Sequence, residues 1–181
     1  MTGPAWGRGV RGLVLAVLLV AGGAQAKVMG GVKLPEIIQL QGQDLLLEHM
    51  ALKRLLFFDV YVWGLYLGES PKSLEEAIAS QKPKQLQLHF RRDLNRNQLV
   101  DAFRNFLTKS PNLKSQEMRR HSEQLVHSLR AVRKGDSLVI TYIPEKGLQI
   151  SGEGSGGAFI PGKDFADALF SAWLDENPIY R

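Results

Sequence analysis

Cysteine is absent from all 181 residues. That excludes a disulfide scaffold, a zinc ribbon, an iron–sulfur centre and a cysteine nucleophile. A large excess of one charge is also missing. Lys and Arg number 23 against 18 Asp and Glu, a formal charge of +5. The densest basic clusters are Lys53-Arg54, Arg91-Arg92 and Arg119-Arg120, each with acidic or apolar residues nearby. Nucleic-acid binding requires a continuous basic face, so that partner is not expected. No Gly-x-Ser-x-Gly elbow occurs, which removes the local signature of an α/β-hydrolase. The glycine-rich run Gly152 to Gly157 has no following lysine and opens no helix. It reads as a flexible hairpin tip, not a phosphate cradle. The histidines are His49, His89, His121 and His127. His121 and His127 are six apart, which points them to different faces of a helix. Neither a metal nor a cofactor is expected.

Long apolar runs are confined to the start of the chain. Arg8 and Arg11 precede an uncharged stretch, Gly12 to Ala26, containing Leu13 to Ala21, LVLAVLLVA. Ala24-Gln25-Ala26 then offers small residues where a signal peptidase reads. This is the three-part layout of a secretory signal over residues 1–26. The run is too short for the roughly 20 residues of a membrane span. Cleavage after Ala26 leaves 155 residues, the 181 less the first 26. The charge becomes +3, the +5 less the two arginines. The expected product is an exported, periplasmic domain over 27–181 with no stable membrane insertion.

No Pro/Ser/Gly-rich linker and no repeat divides that remainder, so it reads as one α+β domain. Ile37 to Leu40 predicts a strand, Gln41-Gly42-Gln43 a turn, and Leu45-Leu46-Leu47 the start of the returning strand. Leu55 to Leu67, LLFFDVYVWGLYL, is the strongest strand signal, apolar on both faces and so covered on both sides. Ser73 and Glu76 form a capping box for a short helix that Pro83 stops. Gln85 to Phe90 alternates, with Leu86, Leu88 and Phe90 on one face and His89 on the other. Asn95 with Gln98 opens a helix whose stripe is Leu99, Phe103, Phe106 and Leu107. A second helix is expected from Pro111 to about Arg130. Strands follow at Leu138 to Tyr142, Leu148 to Ile150 and Ala158 to Ile160, before a last helix carrying Phe165, Leu169 and Trp173 that Pro178 ends. Short turns between strands predict an antiparallel β-sheet packed against a layer of helices.

One feature of the central strand admits two readings, a ligand cleft and core packing, and spacing alone favours core packing. Tyr61, Trp63 and Tyr66 place polar tips in an apolar run, just after Lys53 and Arg54. An apolar cleft with a few placed polar groups suits a small amphipathic ligand. Core packing with both tyrosine hydroxyls satisfied at the edges explains the same residues.

Phe58 to Leu67, FDVYVWGLYL, resembles the Gly-Val-Tyr-Leu strand of the chalcone isomerase fold. It is more similar to the K-V-Y-V-A-G-L-Y-L strand of the exported bacterial chalcone isomerase-like branch. Lys84 to Leu94, KQLQLHFRRDL, resembles that branch's next strand. Ile160 to Leu169 with Trp173-Leu174 resembles its closing helix, so the resemblance runs roughly from Gly31 to Ile179. It implies an antiparallel sheet against helices with a ligand cleft between them. In the plant enzymes an arginine, two threonines, a tyrosine and an asparagine close a chalcone into a flavanone. Here the arginine's place falls at Lys53, with Arg54 beside it, and the first threonine's at Tyr61. The second falls at Ala172, which has no hydroxyl. The stretch Pro111 to Arg130 holds no tyrosine and only Asn112.

The resemblance therefore implies the non-catalytic relatives, some of which bind fatty acids, and no catalytic residue is assigned. Lys53 or Arg54 is expected to anchor an anion, Tyr61 to donate a hydrogen bond and Trp63 to line the cleft. Two other readings stay open: an isomerase or lyase of another substrate in the same cleft, and an envelope interaction module whose cleft is filled by its own side chains. One geometric condition applies. Lys53 and Tyr61 are eight residues apart, about 26 Å on an unbroken strand. They share a site only if the chain turns between them.

Overall fold

The computed structural model describes residues 25–177. The expected export signal lies outside the described residues, apart from its last two positions. The described residues open with a two-stranded hairpin, β1 (Ala26–Met29) and β2 (Val32–Pro35). A seven-stranded sheet follows, wholly antiparallel and in chain order. Its strands are β3 (Ile37–Leu40), β4 (Gln43–Leu55), β5 (Phe58–Leu67), β6 (Lys84–Phe90), β7 (Ser137–Ile143), β8 (Gly147–Ser151) and β9 (Ala158–Pro161). Between them come α1 (Leu74–Ala79), α2 (Arg96–Lys109), α3 (Gln116–Ser128) and, last, α4 (Asp164–Glu176). The architecture is a curled antiparallel sheet with four helices, the α+β arrangement expected.

Local signals act where the chemistry requires. The Ser73 side chain accepts from the Glu76 amide at the start of α1. At α2, Asn95 and Gln98 complete a reciprocal capping box. Both satisfy amides that a helix start leaves without partners. Strand β6 alternates strictly. Leu86, Leu88 and Phe90 enter the core, while Gln85, Gln87 and His89 face outward. The outward set hydrogen-bonds as a ladder from His89 through Gln87 and Gln85 to Thr141.

The main core lies between the sheet and the helices. Trp63, Leu65 and Leu67 of β5 meet α2 and α4 there. The opposite face carries a smaller cluster of Leu34, Leu45, Leu47 and Tyr66, covered by the β1–β2 hairpin. Gly64 permits this second layer, because a Cβ on it would lie 2.6 Å from the Leu34 side chain. Thus β5 is buried on both faces, as its composition predicts.

Three expectations change. The run Leu55 to Leu67 is not one strand. Leu55 closes β4, Leu56-Phe57 is a two-residue turn and β5 begins at Phe58. The helix expected from Pro111 to Arg130 divides into a 3₁₀ turn at Pro111–Leu113 and α3, which ends at Ser128. The glycine-rich segment is fastened to the end of α3. The Gly156 amide donates to Ser128 O at 2.7 Å, and the Arg130 amide to Gly154 O at 2.9 Å.

Candidate functional site

The turn at Leu56-Phe57 meets the condition on Lys53 and Tyr61. They sit on neighbouring strands as direct cross-strand partners. Such pairs hold their Cβ atoms about 4.5–5.5 Å apart. The register then slips, because Lys53 pairs with Tyr61 but Arg54 pairs with Asp59. Val60 is the extra residue of this bulge. Bulges re-aim side chains at a strand end. Consecutive residues accordingly line one cavity: Lys53, Arg54 and Leu55 from β4, and Val60 and Tyr61 from β5.

The cavity holds about 260 Å³. Helix α2 supplies the opposite wall through Leu99, Phe103, Phe106 and Lys109. Trp173 of α4 lines it too, with its ring 6.1 Å from Tyr61 and 5.6 Å from Phe106. The surroundings are thus mostly hydrocarbon and aromatic. Its indole Nε1 is buried with no hydrogen-bond partner among the described residues.

Polar groups collect at the rim. Arg54 Nε pairs with Asp59 Oδ1 at 2.8 Å, and Lys109 Nζ with Glu176 Oε1 at 3.2 Å. Lys53 is half-buried and makes no ion pair among the described residues. Burial pushes the Tyr61 hydroxyl well above the ordinary phenol range, and the Glu176 charge adds to the shift. Tyr61 therefore keeps its proton near neutral pH, so its hydroxyl is available to donate and is unsuited to act as a base.

The structure brings together Lys53, Arg54 and Tyr61. It does not bring Trp63 to the lining. That ring is 2% exposed and packs behind the site, 5.8 Å from Trp173 and 4.9 Å from His49. Tyr66 faces the other side of the sheet, where its hydroxyl donates to Pro35 O at 2.9 Å. Ala172 is buried in α4 and Asn112 lies in the 3₁₀ turn; neither lines the cavity. Residues that sequence reasoning did not assign to the site include Asn105, Lys109, Trp173 and Glu176. Helical spacing marked Phe103, Phe106 and Trp173 as core-facing. Periodicity names the buried face of a helix but not where that face stands away from the sheet.

Two larger hollows lie elsewhere. One of about 420 Å³ between α2 and α3 is rimmed by Arg104, Lys114, Arg119 and Glu123. Another of about 390 Å³ lies by the β1–β2 turn, with Lys33, Arg91 and Lys134 around it. Neither includes Lys53 or Tyr61. Among the described residues no three His, Asp or Glu side chains converge as a metal site would need. No described helix is long and apolar enough to cross a membrane.

No curated protein matches this chain. Among solved structures, a fatty-acid binding protein of Arabidopsis thaliana superposes with a TM-score of 0.61 at 16% identity. The superposition covers 85% of this chain and 91% of that one. A family model described as chalcone isomerase-like matches residues 26–181. With that match spanning nearly every described residue, the chain belongs to the chalcone isomerase-like family.

Proposed function

We propose that this protein binds a small amphipathic anion of the fatty-acid class in the cavity that strands β4, β5 and β6 form with helices α2 and α4, and does not transform it. One observation carries the reading. A half-buried lysine with no ion pair among the described residues stands across the strand from a protonated tyrosine, at the edge of an apolar cavity. A carboxylate would accept from Lys53 and Tyr61 while its chain runs toward Trp173. The fatty-acid binding structural neighbour supports the same class of ligand.

Energetics divide the labour. A charge-assisted hydrogen bond contributes about 1.5–3 kcal/mol. Each buried methylene adds about 0.8 kcal/mol. The chain therefore dominates affinity, and the rim sets orientation. A volume of 260 Å³ lies near the lower end of small-molecule pockets, about 300–1,000 Å³. That favours an acyl chain of medium length. We also read residues 1–26 as an export signal and the periplasm as the working compartment. N-terminal sequencing of the native protein tests that reading, with Lys27 expected first.

The binding test is direct. Protein purified from its native compartment is extracted with solvent and analysed by mass spectrometry, then titrated with saturated fatty acids by thermal shift. The expected result is a near-stoichiometric amphipathic anion and a shift that peaks at medium chain length. No extracted molecule together with no shift for any fatty acid overturns the reading. A hydroxychalcone incubated with the protein should lose its visible absorbance no faster than in buffer.

A further inference from the structure

The β4–β5 turn places four consecutive apolar residues in water. Leu55, Leu56, Phe57 and Phe58 are 67%, 82%, 96% and 57% exposed. Hairpin tips ordinarily carry Gly, Asn or Asp, since their backbone needs positive φ. Leu56 has φ of 54° and no glycine to ease it. A leucine in that conformation is strained, and such strain collects at functional positions. The same tip is the rim of the cavity, because Arg54 and Leu55 line it.

Cations surround the tip. Lys53 and Arg54 precede it, and the Arg92 guanidinium lies 4.9 Å over the Phe58 ring. The nearest carboxylate in the hairpin, Asp59, is already tied to Arg54. Exposed aromatic and leucine side chains beside Lys and Arg are the composition of an interfacial membrane anchor. A strand-adding partner is disfavoured, because Leu55 pairs with Phe58 and leaves no open edge at the turn. A second copy is disfavoured too. Four side chains at a turn fall well short of the roughly 800 Å² per partner that a stable interface buries.

We propose that this hairpin tip inserts into an anionic phospholipid surface and sets the cavity rim against the acyl layer, so that the ligand passes between bilayer and cavity without crossing water. The proposal rests on the ligand-binding reading for its purpose, but the docking itself does not. Leu56 and Phe57 enter below the headgroups while the exposed Arg54 and Arg92 meet the phosphates, leaving Lys53 to the ligand.

The test uses the mature chain from Lys27 onward, free of ligand, and sedimentation with phosphatidylcholine vesicles prepared with and without phosphatidylglycerol. Binding is expected on the phosphatidylglycerol vesicles and is expected to weaken as salt screens the cations. The double variant L56G/F57S removes the apolar tip and supplies the glycine that the turn prefers. It should partition about tenfold less or worse, fold at least as stably, and bind dansyl-labelled undecanoic acid normally in vesicle-free buffer. Arg92→Gln should reduce the preference for phosphatidylglycerol. Wild-type protein that stays in the supernatant with every vesicle overturns the proposal. So does a double variant that sediments like wild type. A wild-type dimer lost in the double variant, without vesicle binding, assigns the tip to a second copy instead. Vesicle binding by a protein that takes no labelled fatty acid in buffer upholds the docking and removes the cavity reading.

Discussion

Lys84 puts a charged side chain 2% exposed inside the core, while Phe57 holds an aromatic ring 96% exposed in solvent. Both reverse the ordinary partition of polar and apolar groups. Their surroundings differ. Lys84 Nζ donates to Ile78 O at 2.8 Å, in the last turn of α1, and to O of its C-cap Ser80 at 2.6 Å. That helix has no basic residue of its own in its last turn. The ammonium also lies 4.8 Å from the centre of the Tyr142 ring. The reversal at Lys84 is thus resolved within the fold, as the cap of a helix. At Phe57 nothing in the fold answers it. An inversion with internal partners is structural; the one without them is where the membrane docking is proposed.

Removing the resolved case should have the largest effect. Lys84→Ala strands two carbonyls and empties the space of the stem, which should cost about 3 kcal/mol. Urea denaturation measures it, and a loss near zero would erase the contrast with Phe57. The pH dependence sharpens the point. Burial pushes the Lys84 ammonium down to about 8, against an ordinary 10.5, with Asp167 opposing the shift. Between those values the unfolded chain binds more protons than the folded one, so stability rises with pH across that window. Below pH 8 the full burial cost of the charge is present, and above 10.5 both states are neutral. Lys84→Met should flatten this rise while keeping the stem packed.

Lys53 stands between the two cases, half-buried and without an ion pair among the described residues. If it is held for a ligand, Lys53→Ala should leave the stability of the empty protein unchanged. It should weaken a fatty acid about tenfold or more, the equivalent of one charge-assisted hydrogen bond. An alcohol of the same chain length should lose nothing. Calorimetric titration of both ligands decides, and equal losses would remove the anchor role from Lys53.

Much of this was legible in the sequence. The capping residues Ser73 and Asn95 marked their helix starts, and the alternation of Leu86, Leu88 and Phe90 marked β6 and its inner face. The same phase includes Lys84, yet its charge hides the fact that it belongs to that inner row. The turn at Leu56-Phe57 was concealed for the opposite reason. No Gly, Pro, Asn or Asp interrupts LLFFDV, so two strands and their turn read as one. The β1–β2 hairpin escapes the sequence because its four-residue strands carry too little pattern, although it covers Val62, Gly64 and Tyr66 of β5. Of the four residues assigned from the sequence, Lys53, Arg54 and Tyr61 line the cavity and Trp63 does not. The wall formed by α2 and Trp173 depends on how far the helices stand from the sheet, a distance that no spacing in the chain encodes.

The smallest expected effects come from the two turns at the ends of β4, and they should have opposite signs. Gln41 and Gly42 join β3 to β4 with φ of 50° and 79°, the geometry of a two-residue hairpin with a glycine where one is wanted. Gly42 has open space around it, so Gly42→Ala meets no clash and pays only for its backbone. It should lose about 1 kcal/mol. At the far end Leu56 occupies the left-handed region with a full side chain. Leu56→Gly should gain about 0.5–1 kcal/mol, the relief of strain less the added freedom of the unfolded chain. Thermal denaturation of both single variants reads the two signs. A loss at both positions would mean that the leucine packs usefully where it stands, and that the tip belongs to the fold. A gain at Leu56 would mean that stability has been given up there, and that the reason lies outside the folded chain.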